Sequence, residues 1–227
     1  MAYRLRQNLS FCLVGGHVVF LDIADDRYFR LSNNLEHAFI AHLAKNGECR
    51  ASDLGRLVDL DVLVESDSKI KDPIEATNVE IPCRSTLEQA SSGTAVSIAT
   101  QLHVLSIVGR TKLALKTHTL EGVLVAITHD RKRRCDGSNH GVVMDDAQLH
   151  AAAALFNRAR LNLPLKTCCL LDSLSLLRYL ATRRLFARLV LGVTGEPFSA
   201  HCWVQAGGLV LNDTVGNARA HTPIRVV

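Results

Sequence analysis

Apolar and polar positions in the first third of the chain alternate in the way that is typical of a small β-sheet. Residues 18–23 (VVFLDI) combine β-branched and apolar side chains, Asp25-Asp26 fits a turn, and residues 28–31 (YFRL) form a returning strand. The pattern therefore predicts a β-hairpin over residues 18–31.

Helical periodicity follows this hairpin. Asn33 and Glu36 have the spacing of a capping box, in which two side chains satisfy free backbone N–H groups at the start of a helix. We therefore expect a helix after Ser32 or Asn33 that ends at Asn46-Gly47, and a second short helix over residues 52–57. The apolar face of the first helix comprises Leu35, Ala38, Phe39 and Leu43.

The periodicity fades between Glu65 and Arg84, where Pro73 and Pro82 lie among charged residues and serines. This composition is typical of a linker or an extended segment. We therefore predict a domain boundary near residue 84, with one domain over residues 1–84 and another over residues 85–227.

The second part of the chain predicts a mixture of helices and strands. Apolar positions recur at helical spacing over residues 95–127 and 145–160, and a further helix is expected after the segment 166–170 (KTCCL), with a cysteine at its N-terminus. Residues 188–193 (RLVLGV) are typical of a buried strand. The basic run at residues 131–134 (RKRR) predicts a solvated loop, with contact to an acidic peptide or a nucleotide as the alternative.

Composition narrows the class of protein. Of 227 residues, 48% are hydrophobic and 21% charged, which indicates folded domains with a buried core. A net charge of +4 is too small to indicate nucleic-acid binding.

The seven cysteines are scattered, with no CxxC pair, unlike a secreted disulfide framework. The start lacks a signal-peptide run, and the longest uncharged stretch, residues 89–109, is too polar for a membrane span. We expect a reduced, cytoplasmic protein that does not bind membranes.

A candidate nucleophile lies where the helix after residue 168 begins. The positive end of a helix dipole and its free N–H groups favour thiolate over thiol, and the same groups could stabilise an oxyanion. Successive helical residues point about 100° apart, so only one of Cys168 and Cys169 can face a site, and spacing does not choose between them. The alternative is a cysteine packed in the core. The helix carries an apolar stripe of Leu170, Leu174, Leu177 and Leu180.

A general base and its partner are predicted in a C-terminal hairpin. Residues 201–205 (HCWVQ) and 209–213 (LVLND) flank a loop at 206–208 (AGG). A three-residue loop would set His201 opposite Asp213, and directly opposed residues have Cβ atoms about 4.5–5.5 Å apart. Such an imidazole takes the proton of a thiol and returns it to a leaving amine, while the carboxylate orients the ring.

Two alternatives accompany this interpretation. The histidine and the aspartate could form a structural pair that only stabilises the hairpin. A zinc site built from Cys168, Cys169, His201 and Cys202 does not fit, because adjacent residues rarely ligate one metal ion. Cys202 should alternate to the opposite face and lie in the core. No Walker loop or other cofactor motif occurs, so we expect neither a metal nor a bound cofactor.

Four blocks of sequence carry a family resemblance. Residues 169–174 (CLLDSL), 189–193 (LVLGV), 197–204 (PFSAHCWV) and 210–213 (VLND) resemble, in order and spacing, blocks of the B-type maturation proteins. These are the transglutaminase-like leader peptidases of lasso peptide biosynthesis. The resemblance covers roughly residues 165–227.

The resemblance implies a catalytic triad of Cys169, His201 and Asp213, because Cys169 is the cysteine that precedes leucine and lies four residues before a serine. The chain departs from the family pattern in having Asp172 where relatives are often basic, Gln205 where they often have an acid, and Cys202 where a small residue is common. Asp172 is expected to tune the electrostatics of Cys169.

The N-terminal part resembles, more loosely, the small winged-helix-like modules that recognise leaders in ribosomal peptide pathways. Residues 20–23 (FLDI) and 27–31 (RYFRL), with the helix that follows, match that module's hairpin. In such modules the leader adds a strand to the sheet edge and packs against a helix. By this resemblance, the leader contacts would be Tyr28, Phe29, Arg30 and Leu31.

Together, the resemblances imply an α+β protein in which a winged-helix-like leader-recognition module precedes a papain/transglutaminase-like cysteine peptidase. Its substrate would be a precursor peptide, and its partner an asparagine synthetase-like lasso cyclase to which any ATP requirement belongs. Two other functions are an acyltransferase on the same scaffold and a non-catalytic escort that binds the leader.

Overall fold

The computed structural model describes residues 2–44, 50–66, 79–89, 95–135 and 146–227. The predicted helix stop at Asn46-Gly47 and residues 67–78 of the predicted linker lie outside this range. Contacts divide the chain into two units, Met1–Asn78 and Val79–Val227. None of the helices in the described ranges is long and apolar enough to cross a membrane.

The first unit combines two small antiparallel sheets with two helices. In chain order its elements are β1 (Ala2–Leu5), β2 (Leu9–Val14), β3 (His17–Asp22), β4 (Arg27–Phe29), α1 (Asn33–Leu43), α2 (Ala51–Asp59) and β5 (Leu63–Ser66). Strand β1 pairs with β5, while β2, β3 and β4 form a three-stranded sheet in that order. The predicted hairpin is confirmed as β3 and β4, and the predicted short helix as α2. Phe20 and Phe39 are fully buried in the centre of this unit, with their rings 4.9 Å apart.

The start of α1 differs from the predicted capping box. Ser32 is the N-cap residue, and no side chain caps the helix. Glu36 is instead 3% exposed, and its Oε1 accepts a hydrogen bond from Val18 N at 2.9 Å. The carboxylate thus satisfies a backbone donor of β3, because the sheet packs directly over this face of the helix.

The second unit packs helices against one mixed sheet. Its helices are α3 (Ile98–Thr117), α4 (Leu120–Cys135), α5 (Asp146–Leu161), α6 (Cys169–Thr182) and α7 (Val215–Ala220). Its strands are β6 (Arg84–Ser85), β7 (Arg188–Thr194), β8 (Ser199–Ala206), β9 (Leu209–Val210) and β10 (Thr222–Val226). The strand order is β10-β7-β8-β9-β6, antiparallel except where β6 runs parallel to β9. Helix α6 contacts α3, α4, α5 and the face of β7 and β8, which places a helix start next to the sheet.

The unit boundary lies between Asn78 and Val79, upstream of the predicted position after residue 84. Cys83, directly before β6, already pairs within the second unit, because Cys83 N donates to Gly208 O at 2.8 Å. At the other end of the predicted linker, residues 65 and 66 belong to β5. The charged and proline-rich composition therefore conceals strands that pair only with distant parts of the chain.

The basic run at residues 131–134 lies in α4, so the predicted solvated loop is wrong. Arg131 is 7% exposed, and its NH1 donates to Ala187 O at 2.7 Å and to Val227 O at 3.3 Å. Its guanidinium also lies 4.7 Å from the centre of the Phe186 ring. Burial is possible because these carbonyls and the ring replace water around the charge.

Candidate active site

The predicted helix with a cysteine at its N-terminus is confirmed as α6, which begins at Cys169 and has Cys168 as its N-cap residue. Cys168 is exposed and Cys169 is half-buried. The first turn of a helix has backbone N–H groups without partners inside the helix, and the dipole favours negative charge there. Cys169 therefore lies where a thiolate is stabilised.

His201 and Asp213 are in contact, although the predicted strand register is wrong. His201 Nε2 lies 2.6 Å from Asp213 Oδ2. The hairpin loop has two residues, because Ala206 pairs with Leu209, and Gly207 takes a positive φ of +54°. That register would leave His201 opposite residue 214 if the strand continued. Strand β9 ends at residue 210, however, and the bend that follows brings Asp213 back to the imidazole.

Several groups fix the position of Asp213. Ser85 Oγ donates to Asp213 O at 2.5 Å, and Thr214 N donates to Asp213 Oδ1 at 2.8 Å. Asn217, in the short helix α7, donates through Nδ2 to both carboxylate oxygens, at 3.1 and 2.9 Å. The same Nδ2 lies 3.2 Å from His201 Nε2. The carboxylate is therefore held from two sides while it faces the imidazole.

A second set of hydrogen bonds joins α6 to the bend after β9. Asn212 Nδ2 donates to Ser173 Oγ at 2.8 Å, and Ser173 Oγ lies 3.3 Å from Cys202 O, to which it donates. Asn212 Oδ1 accepts from Val204 N at 2.7 Å. The helix that carries Cys169 and the bend that carries the aspartate are thus held at fixed positions.

The thiol and the imidazole perturb each other. The pKa of Cys169 is lowered to about 4, first by a hydrogen bond from the Cys202 side chain and then by one from His201. The pKa of His201 is raised to about 9 by its hydrogen bond to Asp213 and by the one to Cys169. Between these two values the resting site pairs a thiolate with an imidazolium, which is the reactive form of a cysteine nucleophile.

Cys202 and Asp213 complete this electrostatic arrangement. The hydrogen bond to Cys169, together with burial, raises the pKa of Cys202, so its thiol stays protonated and donates. Burial alone would raise the pKa of Asp213, but hydrogen bonds from His201, from the backbone and from Asn217 lower it overall. Asp213 therefore remains a carboxylate that supports the imidazolium.

Two rings pack near the imidazole. The His201 ring centre lies 6.2 Å from that of Trp203 and 5.1 Å from that of His221. Gly192 of β7 is paired with His201, and a Cβ there would lie 2.9 Å from the Trp203 ring and 3.0 Å from His221 Cβ. Only glycine allows the sheet to approach these rings so closely.

The predicted leader contacts belong to the first unit, whereas Cys169, His201 and Asp213 belong to the second. Tyr28 and Phe29 belong to β4, the edge strand of its sheet, and Arg30 and Leu31 follow it. Arg30 is exposed and the other three are half-buried. Phe29 stacks on Phe20 with ring centres 5.1 Å apart. Within the described residues, no group of three histidine, cysteine or acidic side chains could hold a metal ion.

Sequence reasoning missed two contributions to the site. Asn217 gives no local signal, since it contacts Asp213 only because α7 starts directly after the bend. Cys202 is buried at 4% exposure, as predicted, yet its thiol also hydrogen-bonds to Cys169. Alternation along β8 could not reveal this contact, because it depends on where α6 crosses the strand.

Comparisons with known proteins agree with this architecture. A profile described as the transglutaminase-like superfamily matches residues 113–226, half of the chain, and includes Cys169, His201 and Asp213. Over 48 residues the chain is 48% identical to the microcin J25-processing protein McjB of Escherichia coli. That stretch covers 21% of this chain and 23% of McjB, so the match spans about a quarter of this relative. No solved structure matches the chain.

These matches confirm the resemblance to the B-type maturation proteins. Within the second unit, the matched residues include the end of α3, the helices α4 to α7 and every strand of the sheet except β6. With a cysteine at the start of the central helix and a histidine on the adjacent strand, the chain belongs to the transglutaminase-like superfamily.

Proposed function

We propose that this protein is a cytoplasmic cysteine peptidase that removes the leader from a lasso peptide precursor. The observation that carries the proposal is the group of Cys169, His201 and Asp213, in which the pKa of the thiol is lowered to about 4 and that of the imidazole is raised to about 9. A structural His–Asp pair would not require an ionised cysteine beside it.

The reaction follows from this resting state. The Cys169 thiolate attacks the scissile carbonyl carbon, and backbone N–H groups at the start of α6 stabilise the oxyanion. The His201 imidazolium then gives its proton to the leaving amine of the core peptide, which leaves the leader as a thioester on Cys169. A water molecule loses a proton to His201 and attacks the thioester, which releases the leader as a carboxylate and regenerates the thiolate. Asp213 holds the ring throughout.

The first unit would bind the leader, and β4 is the candidate surface. Addition of an extended peptide as a further strand at a sheet edge is a recurrent mode of peptide recognition, and β4 lies at an edge of its sheet. Tyr28, Phe29 and Leu31 are only half-buried, and Arg30 is exposed, so side chains of this segment remain accessible to such a peptide. Because the two units share one chain, leader binding would raise the effective concentration of the scissile bond at Cys169.

A partner would complete the pathway. The core peptide released by this reaction carries a free N-terminal amine, and a lasso cyclase of the asparagine synthetase-like type would consume it. We assign any ATP requirement to that cyclase, since the proposed hydrolysis needs no nucleotide. The peptidase itself would need only its own side chains and water.

Mass spectrometry of a precursor peptide tests this proposal. A precursor encoded beside this gene is incubated with wild type, Cys169→Ala and Cys168→Ala. We expect one cut between leader and core by wild type and by Cys168→Ala, and none by Cys169→Ala. Cys168 is the matched control because it is the adjacent thiol, exposed at the N-cap. Absence of cleavage in the presence of the cyclase and ATP would overturn the proposal.

An acyltransferase is the second candidate, because the superfamily that matches this chain also includes acyltransferases. In that case an amine would resolve the thioester, and the spectrum would contain a cross-linked product in place of two fragments. A leader-binding escort would retain its function in Cys169→Ala. The cleavage experiment therefore separates all three possibilities.

A further inference from the structure

A buried ion pair lies directly beneath the segment that leads to Cys169. Arg160, near the end of α5, donates through Nε to Asp172 Oδ1 of α6 at 2.6 Å. The two side chains are only 5% and 17% exposed. Surface ion pairs contribute little, whereas removal of one partner from a buried pair leaves a charge without compensation.

Arg160 also holds the connection between the two helices. Its NH1 donates to Leu165 O and its NH2 to Lys166 O, both at 3.0 Å. Asp172 uses its second oxygen, Oδ2, to accept a hydrogen bond from Cys168 N at 3.1 Å. One guanidinium and one carboxylate thus fix the end of α5, the connecting loop and the backbone on the N-terminal side of the nucleophile.

Asp172 has a second consequence, which is electrostatic. A carboxylate in the first turn of α6 satisfies a free N–H of the helix start, but it also adds negative charge within one turn of a sulfur that must itself be negative. The guanidinium of Arg160 neutralises this charge, because it forms an ion pair with the same carboxylate. The arrangement keeps the hydrogen bond to the backbone while it removes the repulsion.

We propose that Arg160 is a positioning residue for Cys169, which acts through Asp172 to hold the nucleophile's backbone and to cancel the negative charge beside its sulfur. This inference rests on the proposed role of Cys169 as the nucleophile. The other ionisable groups that face the sulfur or its immediate partner are Cys168, His201, Cys202, Asp213 and His221.

The test is the pH dependence of Cys169 alkylation by iodoacetamide in the full-length protein. Every variant carries Cys168→Ala, so the tryptic peptide over residues 167–178 reports on Cys169 alone. In Arg160→Met the uncancelled Asp172 should raise the pH of half-maximal alkylation by about one unit. In Asp172→Asn the remaining Arg160 charge should leave that midpoint unchanged or lower it. The double variant should return to within a few tenths of a unit of the parent.

Two further variants distinguish the effect of the Arg160 charge from the effects of its hydrogen-bond geometry and of protein folding. Arg160→Lys keeps the charge but loses the fork that binds two carbonyls, so it should keep the parent midpoint while precursor cleavage slows several-fold. Arg133→Met removes an exposed arginine whose NH2 lies 3.1 Å from Asp130 Oδ1, and it should change neither quantity. Thermal unfolding of each variant shows which of them are folded.

A raised midpoint in Arg160→Met without a rise in Asp172→Asn cannot arise from a general loss of stability, which would shift both midpoints in the same direction. Equal shifts of the alkylation midpoint in Arg160→Met and Asp172→Asn, or no shift in either variant, would overturn the inference. If Arg160→Lys raises the midpoint as Arg160→Met does, charge cancellation is wrong. The proposed function fails separately: a parent protein with a low midpoint that never cleaves the precursor would refute the peptidase and leave the ion pair's role intact.

Discussion

The ionisation of Cys169 should depend on two separate donors, and this dependence can be measured. The Cys202 thiol and the His201 imidazolium both hydrogen-bond to the sulfur and together lower its pKa to about 4. Substitution of either donor by alanine removes one of these bonds and leaves the other. The Cys202→Ala and His201→Ala variants should each have a midpoint above that of wild type, and the double variant should approach an ordinary thiol.

The size of the effect follows from the fraction of thiolate. At pH 6, a group with a pKa of about 4 is about 99% ionised, whereas a free cysteine with its pKa near 8.5 is only about 0.3% ionised. Loss of both donors should therefore reduce the thiolate at pH 6 roughly 300-fold. Each single substitution should have an intermediate effect, because Cys202→Ala removes one hydrogen bond and His201→Ala removes a hydrogen bond together with a positive charge.

Ultraviolet absorbance of the thiolate, titrated with pH, provides the assay. Subtraction of the Cys169→Ala titration removes the signal of the other cysteines, of which the exposed Cys83 and Cys168 are the most accessible in the described range. Wild type should titrate near pH 4. A wild-type midpoint above pH 7, or variants that titrate with wild type, would refute the electrostatic description of the site.

Three further predictions concern activity and stability. Precursor cleavage should rise with pH through about 4, as Cys169 ionises, and fall through about 9, as His201 loses the proton needed by the leaving amine; a single rise through the ordinary thiol range would contradict this. Asn217→Ala should lower kcat roughly tenfold with little change in KM, because Asp213 loses a charge-assisted hydrogen bond, and an unchanged kcat would show that this contact is dispensable. Gly192→Ala should cost about 1–3 kcal/mol in urea unfolding, since its methyl group would clash with two rings; an unaltered midpoint would contradict that packing.

The sequence predicts the parts of the site that depend on local signals. The start of α6 at Cys169 follows from an apolar stripe and the residues before it. The alternating pattern predicts the contact of His201 with Asp213 from strand register, but a two-residue loop shifts that register by one. The contact arises instead because Asn212 caps Val204 N with its side chain and lets the chain bend. Loop length within one residue is not encoded by an alternating pattern.

Charged residues gave the least accurate predictions. The sequence pattern predicts a helix cap at Glu36 and a solvated loop at Arg131, since local patterns place charges at helix ends and surfaces. In the structure both are buried, and each binds the backbone of a distant element, at Val18 and Ala187 respectively. Long-range pairing of this kind depends on the assembled fold, which no window of sequence contains.

The most direct test of the central claim is cleavage of the precursor in oxygen-18 water, followed by mass spectrometry of the leader fragment. Hydrolysis of a thioester on Cys169 predicts that one oxygen-18 atom enters the new C-terminal carboxylate of the leader, and that Cys169→Ala yields no fragment. A leader joined to an amine, or labelled cleavage that persists in Cys169→Ala, would contradict it.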